Sequence, residues 1–166
     1  MEQLLILCVD DEREVLDSVL SDIASLSPPF TIDGAESVAE AREVISEFEA
    51  QGGKLALILA DHIMPDELGI DFLIDLNHSS NNEAAQKILL TGQAGLHDTI
   101  EAINRGGLNY YLAKPWSAEE LLSIIKEKLT DYVLNYCDNP MPFAQVLDGE
   151  RIFNHMAQHR LEMPNT

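Results

Sequence analysis

Basic residues are scarce in this 166-residue chain: 10 lysines and arginines stand against 29 aspartates and glutamates, for a formal net charge of −19. A field of that sign repels nucleic-acid phosphates and anionic lipid surfaces, which argues against direct nucleic-acid binding or membrane association by this segment. Cysteine is almost absent. Cys8, inside an apolar run, and Cys137 have neither the number nor the spacing of a disulfide framework or a zinc site. They read as free thiols in a reducing compartment. Long apolar runs are also missing, since the longest, Leu4 to Val9 and Leu55 to Ala60, are six residues each, against about 20 for a membrane-spanning helix. The chain reaches Asp10, Asp11 and Glu12 with no basic n-region or cleavage pattern, so a cytoplasmic location is expected. No internal repeat or low-complexity tract is present. Gly52-Gly53 and Gly106-Gly107 sit in neither a G-x-G-x-x-G nor a Walker context and read as turn glycines.

What remains is an ordinary globular composition, 46% hydrophobic, enough for one buried core with an appendage. Short apolar runs alternate with amphipathic segments over the first 130 residues, the pattern of repeated β-α units around a mostly parallel sheet. Strands are expected at Leu4 to Val9, Phe30 to Asp33, Leu55 to Ala60, Lys87 to Thr91 and Asn109 to Ala113. The first, third and fourth lack polar alternation, which predicts strands covered on both faces. Val15, Leu16, Val19, Leu20 and Ile23 share one helical face, as do Val38, Val44, Ile45 and Phe48. Ser37 with Glu40, Asp98 with Glu101 and Ser117 with Glu120 place a capping oxygen three residues ahead of a carboxylate at helix starts.

This alternation ends near residue 131. The expected division is a domain over 1–131 and a C-terminal extension over 132–166, interrupted by Asn139, Pro140 and Pro142. A further helical pattern from about Gly149 to Met163 carries Ile152, Phe153, Met156 and Leu161, apolar surface that calls for docking on the body or on another subunit. His155 and His159 stand one helical turn apart, as a metal pair would. Met156 occupies the place of a zincin glutamate and no third ligand is near, so they read as surface histidines.

In a parallel α/β sheet the strand-to-helix loops converge on one edge, where ligands bind. Asp10 and Asp11 follow the first expected strand, Asp61 the third, Thr91 ends the fourth and Lys114 follows the fifth. Three carboxylates brought together repel one another unless a cation joins them or their pKa values rise. A hard divalent ion with oxygen ligands is the simplest remedy, and Mg²⁺ suits a small open site shared with phosphate oxygens. A lysine and a hydroxyl beside it complete what phosphoryl transfer needs: an in-line nucleophile and neutralised charge. Asp61 is the expected nucleophile.

VDDE at 9–12, LILADHIMPDELG at 57–69, ILLTG at 88–92 and YLAKPW at 111–116 together resemble the receiver domains of two-component response regulators, over about residues 3 to 131. The resemblance implies a flavodoxin-like, doubly wound five-stranded parallel sheet of order 2-1-3-4-5 with helices on both faces, here with a C-terminal helical extension. It implies that Asp61 is the phosphoacceptor and that Asp11 binds Mg²⁺ directly. Asp10 reaches the metal through water, and the Ile63 backbone carbonyl is a third protein ligand. Thr91 and Lys114 match the residues that contact the phosphoryl group, Gly92 the small position that keeps the pocket open, and Thr91 with Tyr111 the switch pair. Pro115 matches a proline often preceded by a cis bond. The implied partners are a sensor histidine kinase or phosphotransfer protein, a possible second copy of the chain, and an output domain or partner. The implied role is a switch and not an enzyme, with only self-directed phosphotransfer and dephosphorylation.

Alternatives are fewer. A haloacid-dehalogenase-type phosphatase also forms an aspartyl phosphate, but its second aspartate lies two residues after the nucleophile on the first strand, and here Asp10 is followed by Asp11 and Glu12. A flavin-binding relative needs a Ser/Thr-rich loop after the first strand, which is absent. A receiver joined in a longer chain to a cyclic-dinucleotide phosphodiesterase or cyclase output is suggested by TGQAGLHDTIEAINRGG ahead of YLAKPW. Trp116 reads as a packing residue at a helix start.

Overall fold

The computed structural model describes residues 1–92 and 107–162. Its strands are β1 (Leu4–Val9), β2 (Thr31–Ala35), β3 (Lys54–Asp61), β4 (Gln86–Thr91) and β5 (Tyr110–Ala113). They pair in parallel in the order β2-β1-β3-β4-β5. The three strands without polar alternation are the three interior ones, and every residue of β1 and β4 is buried. Successive side chains of a strand point to opposite faces. Leu4, Ile6 and Cys8 therefore enter one core cluster, while Leu5, Leu7 and Val9 enter the other.

Helices α1 (Arg13–Asp22) and α4 (Ala118–Tyr136) cover the first face, and α2 (Val38–Ala50) and α3 (Gly69–Asn77) the second. Two of the expected caps form: Ser37 Oγ accepts from the Glu40 N–H at 3.1 Å and Ser117 Oγ from the Glu120 N–H at 3.0 Å. The Glu40 carboxylate reaches the Glu36 N–H rather than that of the cap residue itself. The Asp98–Glu101 start and Gly106 lie outside the described residues.

Strand limits differ from the expected ones by a residue or two, for visible reasons. Phe30 closes a turn, its N–H donating to Leu26 O, so β2 begins at Thr31 and runs on until Ala35 pairs with Val9. Asn109 precedes β5 because its side chain takes part in the ladder: Oδ1 accepts from the Lys87 N–H at 2.7 Å while its own N–H donates to Lys87 O at 2.8 Å.

The extension docks on its own chain. Helix α4 runs through position 131 to Tyr136, and Asn139-Pro140 then turns the backbone into a short 3₁₀ segment, Met141–Phe143. Phe143 is buried against Phe30, ring centroids 4.9 Å apart. Thr130 Oγ1 donates to Lys126 O and accepts from the Asp148 N–H just ahead of helix α5 (Gly149–Glu162). Arg151 pairs with Asp131 at 2.9 Å, and Ile152 is fully buried. No described helix is long and apolar enough to cross a membrane.

Truncating a buried phenylalanine costs roughly 3–5 kcal/mol in transfer and cavity terms. Phe143→Ala is therefore expected to lower the urea midpoint of the whole chain in one transition. An early separate transition, with the main midpoint unmoved, would show that the extension is not part of the cooperative unit.

Candidate functional site

Parallel pairing brings the C-terminal strand ends to one edge, and backbone hydrogen bonds tie those ends together. The Asp10 N–H donates to Ala35 O, the His62 N–H to Leu90 O, and the Lys114 N–H to Thr91 O, all at 2.9–3.1 Å. This edge brings Asp10, Asp11 and Asp61 together with Lys114 beside Asp61, and Thr91 ends the neighbouring strand β4.

Asp10, Asp11 and Asp61 each offer a carboxylate oxygen, and these oxygens all lie within 4.8 Å of one another. Two charges at such a distance repel by roughly 3 kcal/mol at an effective dielectric of about 20. Asp10 and Asp61 are buried and Asp11 is exposed. Burial first, then the neighbouring Asp61, pushes Asp10 up to about 6, against the Glu12 N–H that its Oδ1 accepts at 2.9 Å. Burial likewise raises Asp61, while Lys114, Nζ 3.7 Å from Asp61 Oδ1, pulls it back down. Asp10 Oδ2 is buried without a hydrogen-bond partner. Crowded oxygen donors, one of them orphaned, fit a hard divalent cation. Among the described residues this is the one such cluster of three acidic, histidine or cysteine groups. His155 and His159 are both exposed on α5.

The loop leaving Asp61 is tightly drawn. The Gly69 N–H donates to His62 O at 2.8 Å, and a Cβ at Gly69 would stand 2.1 Å from Asp61 O, so no larger residue fits without moving the backbone. Within the loop Met64 is buried, whereas the Ile63 side chain is 63% exposed. Thr91 is buried at the end of β4, opposite Ala113. Among the described residues, a Cβ on Gly92 would meet only Lys114 Cδ, at 4.0 Å. Tyr111 is half-buried against the core cluster on the α2–α3 face. The Lys114–Pro115 peptide is cis. Trp116 packs on the α1–α4 side, where a groove lined by Val15, Val19, Pro115 and Trp116 adjoins Lys114.

Sequence reasoning passed over two residues beside the site. Asp66 accepts from the Ala39 and Val38 N–H groups at 3.1 and 3.4 Å, and Arg42 Nη2 pairs with Glu67 at 3.0 Å and Asp75 at 2.9 Å. Both contacts join segments more than 20 residues apart, beyond the reach of any local pattern.

The family model for the response regulator receiver domain matches residues 6–126. The hydrogenase transcriptional regulatory protein HoxA of Cupriavidus necator is 25% identical over 76% of this chain but only 24% of its own length. Response regulator Rre1 of Synechocystis is 29% identical over 77% of this chain and 52% of its own. This chain therefore spans between a quarter and about half of those relatives. A solved signal receiver domain of an HD domain-containing protein from Pseudomonas fluorescens superposes with a TM-score of 0.68 at 25% identity, covering 79% of this chain and 98% of that one.

Two outcomes follow from the site geometry. Gly69→Ala forces the Asp61 carbonyl aside and is expected to cost about 1–3 kcal/mol, as overpacking does, read as a lowered thermal midpoint. The second concerns pH in chelator. With a folded pKa of about 6 against an ordinary 3.8, Asp10 keeps a proton on folding across that window, so its contribution to stability falls as pH rises from about 4 to about 6. Asp10→Asn removes that loss and keeps the acceptor for the Glu12 N–H. The variant should exceed the wild type by on the order of 3 kcal/mol above that window, with the gap closing at lower pH. A gap independent of pH in paired urea titrations would contradict the assignment.

Proposed function

Because this chain belongs to the response regulator receiver family, we propose that it is a phosphorylation-controlled signalling switch that accepts a phosphoryl group on Asp61. The observation that carries this reading is the convergence of three carboxylates with Lys114 on one sheet edge, with a buried, unpartnered oxygen on Asp10. Mg²⁺, when bound by Asp10, Asp11, Asp61 and the Ile63 carbonyl, supplies positive charge for the equatorial phosphoryl oxygens.

The chain's own groups do the rest. An Asp61 carboxylate oxygen attacks the phosphorus of a phosphohistidine in line with the P–N bond. The new P–O bond forms as the P–N bond breaks, and the leaving imidazole keeps the electron pair and takes a proton from solvent. Lys114, already 3.7 Å from Asp61, keeps the nucleophile ionised against its burial and meets the incoming charge. Thr91, held at the end of β4, offers a hydroxyl to the transferred group. The groove of Val15, Val19, Pro115 and Trp116 beside Lys114 is an apolar seat for the kinase or phosphotransfer protein that presents the histidine. The acyl phosphate then favours one of two packings in which Thr91 and Tyr111 shift together. Tyr111's half-buried position on the outermost strand β5 is consistent with such a shift. Sustained turnover of an outside substrate is not part of this role. A cytoplasmic location, where a sensor kinase is reached, belongs to the same reading.

The partial coverage of HoxA and Rre1 favours a second, compatible reading, that these residues are the receiver portion of a longer regulator whose output is a separate domain. An in-frame continuation after Thr166 in the source transcript would support it, and a stop codon there would remove it.

Intact-mass measurement after incubation with acetyl phosphate tests the central assignment. One phosphoryl mass is expected with Mg²⁺ and none in chelator. Asp61→Asn is expected to gain none under either condition, and its phosphorylation would refute Asp61 as the acceptor.

A further inference from the structure

The loop over 62–68 links the proposed acceptor Asp61 to helix α3 and includes Ile63, so its placement bears on the metal site. Its inner side is held by Met64 in the core and by the Gly69 N–H on His62 O. Its outer side is held by α2, a helix that contributes no residue to the site. The first turn of any helix leaves N–H groups without intrahelical partners. In α2, Ser37 Oγ takes the Glu40 N–H, and the Val38 and Ala39 N–H groups are taken by the Asp66 carboxylate, reaching over from the loop. One turn further on, Arg42 Nη2 bridges Glu67 at the loop's end and Asp75 on α3, its guanidinium 4.9 Å from the centroid of the buried Phe72 ring. Each exposed ion pair alone is weak. A planar guanidinium seated on a fixed ring and shared by two carboxylates restricts where Glu67 can lie.

We infer that Asp66 and Arg42 are positioning residues of the phosphoryl-transfer site, clamping the loop to α2 so that Asp61 and the Ile63 carbonyl are set for the metal. The inference rests on the reading of Asp10, Asp11, Asp61 and Ile63 as the Mg²⁺ site. The clamp's loop residues, Asp66 and Glu67, stand three to six residues from Ile63 and Asp61 and touch none of the donors. Its loss should weaken metal binding, because each ion bound then has to order the loop as well, while leaving the chemistry at saturating metal intact.

The test is thermal denaturation of the full chain over a series of MgCl₂ concentrations, which yields both the metal-free midpoint and the Mg²⁺ affinity from the rise in midpoint. Asp66→Ala is expected to raise the half-saturating Mg²⁺ concentration by about tenfold, the lower end of effects at groups supporting metal ligands. Asp66→Asn, which keeps one acceptor oxygen for the Ala39 N–H, should recover most of it. Arg42→Met, which keeps the stem over Phe72, should give a smaller rise in the same direction. Ser37→Ala is the control: it removes a cap from the same helix without touching the loop, and should lower the metal-free midpoint with Mg²⁺ affinity unchanged. The rate of phosphoryl uptake from acetyl phosphate at saturating Mg²⁺ should stay within about twofold of wild type in the Asp66 and Arg42 variants, as expected when only ground-state binding is lost. If Ser37→Ala shifts Mg²⁺ affinity as much as Asp66→Ala, or neither clamp variant shifts it, the clamp has no positioning role although the site reading stands. If the wild type itself shows no Mg²⁺-dependent midpoint, the site reading falls and the inference with it. Should Asp66→Ala fail to fold, Asp66→Asn and Arg42→Met decide the question on the same criteria.

Discussion

Mutual repulsion among Asp10, Asp11 and Asp61 is the constraint around which the rest of this molecule is arranged. Carboxylate oxygens within 4.8 Å of one another would move apart on a flexible scaffold. Here they do not, because Asp10 and Asp61 are anchored at the ends of interior strands buried on both faces, and their neighbours' backbones are locked by the sheet ladder. The apolar mass of β1, β3 and β4 opposes the separation of charge. The raised pKa of Asp10 is the visible cost, and Lys114 partly offsets the same effect at Asp61. A cluster held together in this way would need little reorganisation to take the divalent cation proposed for it, which is how preorganised sites gain affinity.

The same reasoning separates what was legible in the sequence from what was not. The sheet could be read because an interior strand writes its position into consecutive residues: Leu4 to Val9 and Leu55 to Ala60 have no polar member, and both are central. The convergence of Asp10, Asp11, Asp61, Thr91 and Lys114 was legible too, since parallel topology fixes which end of each strand meets the others. Ser37 and Ser117 announced helix starts because a cap and its target are three residues apart.

What stayed hidden involves side chains acting across long separations. Nothing around Asp66 signals that it completes a helix 28 residues earlier, and nothing around Asn109 signals that its amide takes a place in the ladder beside Lys87. Lys87 is the sharpest instance. It heads an apolar run and looks like the solvent-facing start of a strand, yet it is buried, and its Nζ donates to the carbonyls of Glu83 and Ala85. Burial draws its pKa down to about 8, a consequence of three-dimensional packing that composition alone does not encode.

The extension was expected to need a partner for its apolar face; Ile152 and Met156 find it in the body of the same chain, while Phe153 stays 54% exposed. That placement has a mechanical consequence. Helix α4 begins four residues after Lys114, and Thr130 and Asp131, which hold the extension, lie in its later turns. At about 1.5 Å per residue, the two ends are joined by a rigid rod close to 30 Å long. A displacement imposed at the Lys114 end would reach the extension as a tilt or shift of the whole rod, because a packed helix does not compress. The contacts of Phe143 with Phe30 oppose such a shift, since Phe30 precedes β2 on the opposite side of the sheet from β5. The extension therefore bridges α4, through Thr130 and Asp131, and the Phe30 turn that leads into the edge strand β2, through Phe143.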